Sequence, residues 1–229
     1  MEINSTRIVT RAAASALNEL RTREYSTARE FEVLRPDLLE WDEHDDKGAI
    51  VGVWCGERMV ATMRALVVAD RATAESLMTC SVDLDDAHFP ALVLGRGATA
   101  HSHRGHGLNS LLRVHFLRTC LDEGGTLPGE LPVASALGLA YEGAPRLRLM
   151  RELGYALHRP EHVWDPEARE LTPALLAVLP RTSFPAALTR LTALSTPLER
   201  DFPWSGPRLL MPAPLTAVTP QPLPAEPSR

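Results

Sequence analysis

Hydrophobic and polar positions along this chain follow two periods, and each marks a different kind of element. The runs GAIVGVWC at 48–55 and MVATMRALVV at 59–68 flank the connector Gly56-Glu57-Arg58 and predict an antiparallel hairpin. Phe89 to Thr99 carries the apolar run ALVL, which predicts a central strand that Gly95 and Gly97 weaken or bulge. In 107–123 the residues Leu108, Leu111, Leu112, Phe116, Leu117, Cys120 and Leu121 fall at helical spacing, so an amphipathic helix is expected there, stopped by Gly124-Gly125. Residues 11–32 predict one or two helices ending at the Pro36 break, and 72–80 a short helix. Further on, 131–137 predicts a strand, 144–153 a helix closed by Gly154, and 155–164 a returning strand. After Pro166 two helical stretches are expected, near 169–179 and 185–195. The acidic segment 37–47, DLLEWDEHDDK, reads as an exposed connection into the sheet, and the proline-rich run from 212 onward as an unpacked tail.

The fold class is therefore α/β (α+β), a mixed and mostly antiparallel sheet flanked by helices, with a C-terminal helical extension. The expected division is 1–165 as the main domain, 166–205 as the extension and 206–229 as the tail. Composition agrees with one packed domain: 229 residues, 45% apolar and 23% charged. A net charge of −5 argues against a general nucleic-acid binder that works by neutralising phosphates. Lys47 is the sole lysine, so positive charge sits almost entirely on guanidinium groups. The odd, scattered cysteines Cys55, Cys80 and Cys120 read as reduced thiols, and with no apolar h-region or membrane-length run the expected location is cytoplasmic.

The segment Val93–Leu112, VLGRGATAHSHRGHGLNSLL, carries the chemistry. A strand, a turn holding Gly105 and Gly107, and a helix start aim backbone amides and a positive dipole end at one point, which suits a phosphate. Glycines there would let the anion approach the amides. No Walker A pattern is present. Gly95, Gly97 and Ala100 match a dinucleotide pattern after a strand, which keeps a nicotinamide-dependent enzyme as an alternative, although HSHRGHG replaces the expected helix start. His101, His103 and His106 raise a zinc reading, with no cysteine or carboxylate nearby to complete a tetrahedral set.

These residues resemble the GCN5-related N-acetyltransferase (GNAT) superfamily. Its acyl-donor signature reads here as Arg104, Gly107 and Asn109, with Asn109 standing where the family has Gly or Ala. The hairpin VWCGERMVATMRAL and the helix RLRLMRELGYAL, which ends in Leu153, Gly154 and Tyr155, flank it in the family's order. The resemblance covers about 45–165 and implies acyl-CoA, or the phosphopantetheine of an acyl carrier protein, as donor. On this reading the donor lies along Ala98, Thr99, Ala100, Arg104, Gly105, His106, Gly107, Leu108 and Asn109. A likeness to acyl-homoserine-lactone synthases and N-acyl amino acid synthases is carried by Trp41-Asp42-Glu43-His44-Asp45, Arg64 and Arg96, with Val93 in the place of a glutamate. It implies a small-molecule amine acceptor bound by Asp42, Arg64 and Arg96.

Amine acylation needs a proton acceptor, an oxyanion donor and a proton for the thiolate. The family's tyrosine acid falls at Met150, which has no proton to give, so Tyr141 is the candidate acid. His101, His103, Asp42 and Asp45 are candidate bases. Arg104, Arg113, Arg118, Arg146, Arg148 and Arg151 are a candidate basic patch at the donor mouth. The expected activity is an N-acyltransferase without metal. The alternative is a non-catalytic acyl-thioester sensor that keeps the fold, favoured by Met150, Val93 and Asn109.

Overall fold

The computed structural model describes residues 4–26, 39–122, 132–141, 146–160 and 174–215. The strands are β1 (Asn4–Ile8), β2 (Ala49–Cys55), β3 (Arg58–Val68), β4 (Ala91–Thr99), β5 (Ser135–Tyr141), β6 (Ala156–His158) and β7 (Ala174–Pro180). The helices are α1 (Ala14–Ser26), α2 (Glu43–Lys47), α3 (Arg71–Met78), α4 (Leu108–Asp122), α5 (Arg146–Glu152) and α6 (Phe184–Asp201). The strands form a single seven-stranded sheet in the order β1-β2-β3-β4-β5-β7-β6. Every neighbouring pair is antiparallel except β4 and β5, which α4 joins as a parallel crossover.

Core residues alternate between the two faces along each central strand. Leu92, Leu94, Ala136, Ala177 and Leu179 pack into the larger core with Leu108, Leu111, Leu112 and Phe116 of α4. Their neighbours Val93, Leu137, Leu176 and Val178 face a second core closed by Ala74 and Met78 of α3. Helix α4 lies against β2, β3 and β4 and is covered by α6, while α1 lies on β3 and β4.

The hairpin, the central strand and the amphipathic helix fall where their periodicities place them, and five expectations need correction. Residues 174–180 form a strand rather than part of a helix over 169–179. The run ALLAVLP is only seven residues long, closed by Pro180, and buried between β5 and β6 on both sides, which is a strand environment despite its leucines and alanines. The first helix starts later than position 11: a 3-10 turn at Arg11–Ala13 leads into α1, and 27–32 lie outside the described residues. A strand, β1, precedes it on the sheet edge. The strand expected over 131–137 runs from 135 to 141, and the one expected over 155–164 is described only as β6. The start of the supposedly unpacked tail reaches the sheet, where the Leu215 amide donates to the Val67 carbonyl at 2.8 Å.

Candidate functional site

The site is made by an interruption in the sheet. Strands β4 and β5 pair only over three positions, Ala91–Ser135, Leu92–Ala136 and Val93–Leu137, and then part although both continue. On its other side β4 carries a bulge: Thr62 faces Ala98 and Arg64 faces Gly95, so β4 spends one residue more than β3 over this stretch. Arg96 sits in that bulge between two glycines with φ 51°, a left-handed conformation that a side-chain-bearing residue adopts at a cost of about 1–3 kcal/mol. Beyond the bulge β4 ends at Thr99, a 3-10 turn covers His101–His103, and Arg104–Gly107 leads into α4.

Gly105 (φ 79°) and Gly107 (φ 82°) both take the left-handed conformation that the turn requires. A Cβ on Gly105 would meet nothing, whereas one on Gly107 would lie 3.3 Å from the Leu198 side chain of α6. Glycine is therefore needed for backbone shape at both positions and, at the second, for close contact with α6. The first-turn amides of α4 have no intrahelical acceptor, and its positive end faces this turn.

A cavity of about 240 Å³ runs through the opening between β4 and β5. Gly95, Arg96 and Gly97 of β4 and Gly138 of β5 line it, together with Arg64 of β3 and Asn109 and Arg113 of α4. Apolar side chains of Met63, Leu66 and Met78 complete much of the wall. Tyr25 of α1 reaches over the β4 edge, its hydroxyl donating to the Gly97 carbonyl at 3.1 Å.

The acidic segment is exposed only in part: Glu40, Glu43, Asp46 and Lys47 face solvent, while 43–47 form α2 and Asp45 is buried. Asp42 caps α2 by accepting from the Asp45 amide at 2.8 Å, and Asp45 returns the bond to the Asp42 amide. Asp45 is only 2% exposed and gives its oxygens to Arg21 Nη1 at 2.6 Å, Arg21 Nη2 at 3.0 Å and Arg64 Nη1 at 3.1 Å. Asp42 accepts from Arg64 at 2.9 Å through Oδ1 and from Arg96 at 2.9 Å through Oδ2. Burial pushes the Asp45 carboxyl upward, but its hydrogen bonds from Arg21 and the charges of Arg21 and Arg64 outweigh that and leave it below its ordinary value. Arg96 is lowered, by burial first and by the neighbouring Arg64 second. Three guanidiniums thus share two carboxylates. Arg21 is fully buried and carries the pairing, yet in the sequence it is one arginine of an ordinary-looking helix.

The other expected site residues are distributed unevenly. Ala98 and Ala100 are buried in the β3–β4 ladder, Ala98 opposite Thr62 and the Ala100 amide donating to the Val60 carbonyl at 2.8 Å. Thr99 accepts from Arg104 Nε at 3.3 Å, and Arg104 also pairs with Glu24 of α1 at 3.2 Å. His101 and His106 are exposed on the turn and do not line the cavity. His103 is bent back by the 3-10 turn, with Nε2 3.6 Å from the Cys55 sulfur, so the histidines do not share the side of an extended segment. Leu108 is core. Asn109 projects toward Gly97 and accepts from Arg113 Nε at 3.0 Å. Tyr141 ends β5, and its side chain, like that of Arg146, lies outside the described residues. Met150 is buried. The expected basic patch is broken up: Arg118 pairs with Glu199, Arg148 with Glu152 and Arg104 with Glu24, while Arg113 is buried and faces the cavity.

No family model matches the chain. No curated protein matches it. Among solved structures, a CoA-dependent acyl-homoserine lactone synthase, BjaI, superposes over 90% of this chain and 95% of its own, with a TM-score of 0.56 and 17% identity. The AHL synthase LasI does so over 82% and 95%, with a TM-score of 0.54 and 13% identity. FeeM, an N-acyl amino acid synthase from uncultured soil microbes, matches over 82% and 96%, with a TM-score of 0.51 and 11% identity. With the diverging β4 and β5, the glycine turn before α4 and the strand order β1-β2-β3-β4-β5-β7-β6, these superpositions make the fold of this chain GNAT-like.

Proposed function

We propose that the protein is an N-acyltransferase that moves an acyl group from acyl-CoA, or from an acyl carrier protein, to the amine of a small molecule such as an amino acid. The observation that carries this reading is the parting of β4 and β5 after Val93 and Leu137, which opens the cavity lined by Gly97 before the glycine turn and Asn109 after it. A pantetheine arm entering there would lie beside Ala98 and Thr99, with its phosphate on the amides from Gly105 to Asn109. The acceptor would occupy the end of the cavity at Asp42, Arg64 and Arg96. Its amine attacks the thioester carbonyl, a C–N bond forms, the C–S bond breaks, and the thiolate departs. With an intrinsic pKa of about 8.5 that thiolate leaves without needing a strong acid, so positioning supplies much of the rate. Proton removal from the amine falls to water, because Asp45 is held as an anion by two arginines and is a weak base, and His101, the other candidate base, stands on the exposed turn outside the cavity. Tyr141 keeps its assignment as candidate acid.

Incubating the protein with acyl-CoA and a pool of amines and reading the mixture by mass spectrometry tests this directly. An N-acylated product is expected. The buried Met150 at the family's acid position favours one second reading, a sensor that holds the thioester without turning it over. Thioester retained on the protein with no acylated amine would establish that reading and end the first.

A further inference from the structure

The cavity wall holds one buried cation that the proposed reaction does not use. Arg113 lies one helical turn after Asn109 on α4 and is 8% exposed. Its Nε donates to Asn109 Oδ1 at 3.0 Å and its Nη1 to the Tyr155 hydroxyl at 3.1 Å, with the guanidinium carbon 5.9 Å from the centre of the Tyr155 ring. All these partners are neutral. Among the described residues no carboxylate pairs with Arg113, and its Nη2 makes no hydrogen bond. A guanidinium stays charged in any protein environment and offers five donors, of which only two are used here. Burying such a charge without an anion is costly, and the cost falls when an anion arrives.

The rest of the cavity points the same way. Arg64 and Arg96 also line it, and among the described residues no carboxylate does. The nearby acids Asp42 and Asp45 are already consumed by Arg21, Arg64 and Arg96. The charged side chains lining the space are thus all cations, and Arg113 stands one helical turn after Asn109, beyond the first-turn amides of α4 that suit the donor's phosphate.

We infer that Arg113 recognises a carboxylate carried by a substrate, so that this protein handles an anionic partner in its cavity rather than a purely aliphatic one. The inference rests on the proposed acyl-transfer reading. The carboxylate has two chemical sources: the far end of a dicarboxylic acyl group, or the α-carboxylate of an amino acid acceptor. A charge-assisted pair of this kind is expected to be worth about 10- to 100-fold in affinity.

The test pairs the wild-type protein with Arg113→Leu and Arg113→Lys, each checked by thermal melting, with the lysine variant serving if leucine does not fold. Calorimetry measures binding of coenzyme A, hexanoyl-CoA and glutaryl-CoA, and of an amino acid and its amide in the presence of coenzyme A. Mass spectrometry follows acylation for the same pairs. Wild-type preference for the carboxylate-bearing member of one pair, by about 10-fold or more and lost in the variant, supports the inference. The pair whose preference collapses identifies the source. No preference in the wild type, or equal weakening of charged and neutral members and of coenzyme A itself, overturns it and leaves Arg113 a packing residue. Preferential binding without any acylated product would uphold the anion site while ending the proposed reaction.

Discussion

Arg96 carries a left-handed backbone between two glycines, and it does so while holding Asp42 at 2.9 Å across the site. Strain kept at such a place is balanced by what the side chain does there. Arg96→Gly should therefore leave the melting temperature unchanged or raise it, while lowering acylation by at least about 10-fold, the effect of losing one charged contact. A fall in stability with full activity would refute this placement. His115 makes a separate prediction. Burial, helped by the charge of Arg118, lowers its pKa to about 4, and its ring rests against Trp204 with centroids 4.7 Å apart. The unfolded chain then binds a proton that the folded one refuses between about pH 6.5 and 4, so stability should decline as pH falls through that window, by at most about 3 kcal/mol. Urea titrations at pH 7 and 4.5 should show this decline, and His115→Gln should flatten it. At this scale the sequence reveals residue types but not their partners. Asp42, Arg64 and Arg96 could be singled out by resemblance. Arg21 could not, and Arg113 was legible only as one member of a surface patch, because a charged residue on a helix normally faces water and only the packed fold shows these two buried.

Elements were legible where their pattern was strong and local. The β2–β3 hairpin announces itself by two β-rich runs around Gly56, which takes φ 59°, and α4 by its apolar stripe. Strand β7 escaped detection because leucine and alanine favour helices intrinsically, and only its neighbours β5 and β6 decide otherwise. The turn before α4 yields a graded prediction. Gly105→Ala meets only the backbone penalty of a positive φ, about 1 kcal/mol, and should spare much of the affinity for coenzyme A. Gly107→Ala adds the contact with Leu198, shifts the start of α4 against α6, and should cost more stability and more affinity than its neighbour. Chemical denaturation and calorimetry on the two variants check the ranking, and equal losses would contradict it.

Across the whole molecule, distant parts of the chain close the sheet. The Thr6 amide donates to the Pro203 carbonyl and the Ser205 amide to the Thr6 carbonyl, at 2.9 and 2.8 Å, so the segment after α6 covers the outer edge of β1. An uncovered strand edge is a template for pairing with another chain. Ending the chain after Asp201 should consequently give a protein that associates as its concentration rises, seen as early elution in size-exclusion chromatography, while the full chain keeps its elution volume. No local signal in the sequence joins Thr6 to Trp204, because the pairing depends on where α6 ends in space. It does, however, govern how the protein is born. On a translating ribosome β1 emerges well before its protector, and β6 before β7. The nascent sheet must wait through much of its own synthesis with one border bare and β6 without the strand that joins it to β5, which is the interval in which a chaperone has the most to shield.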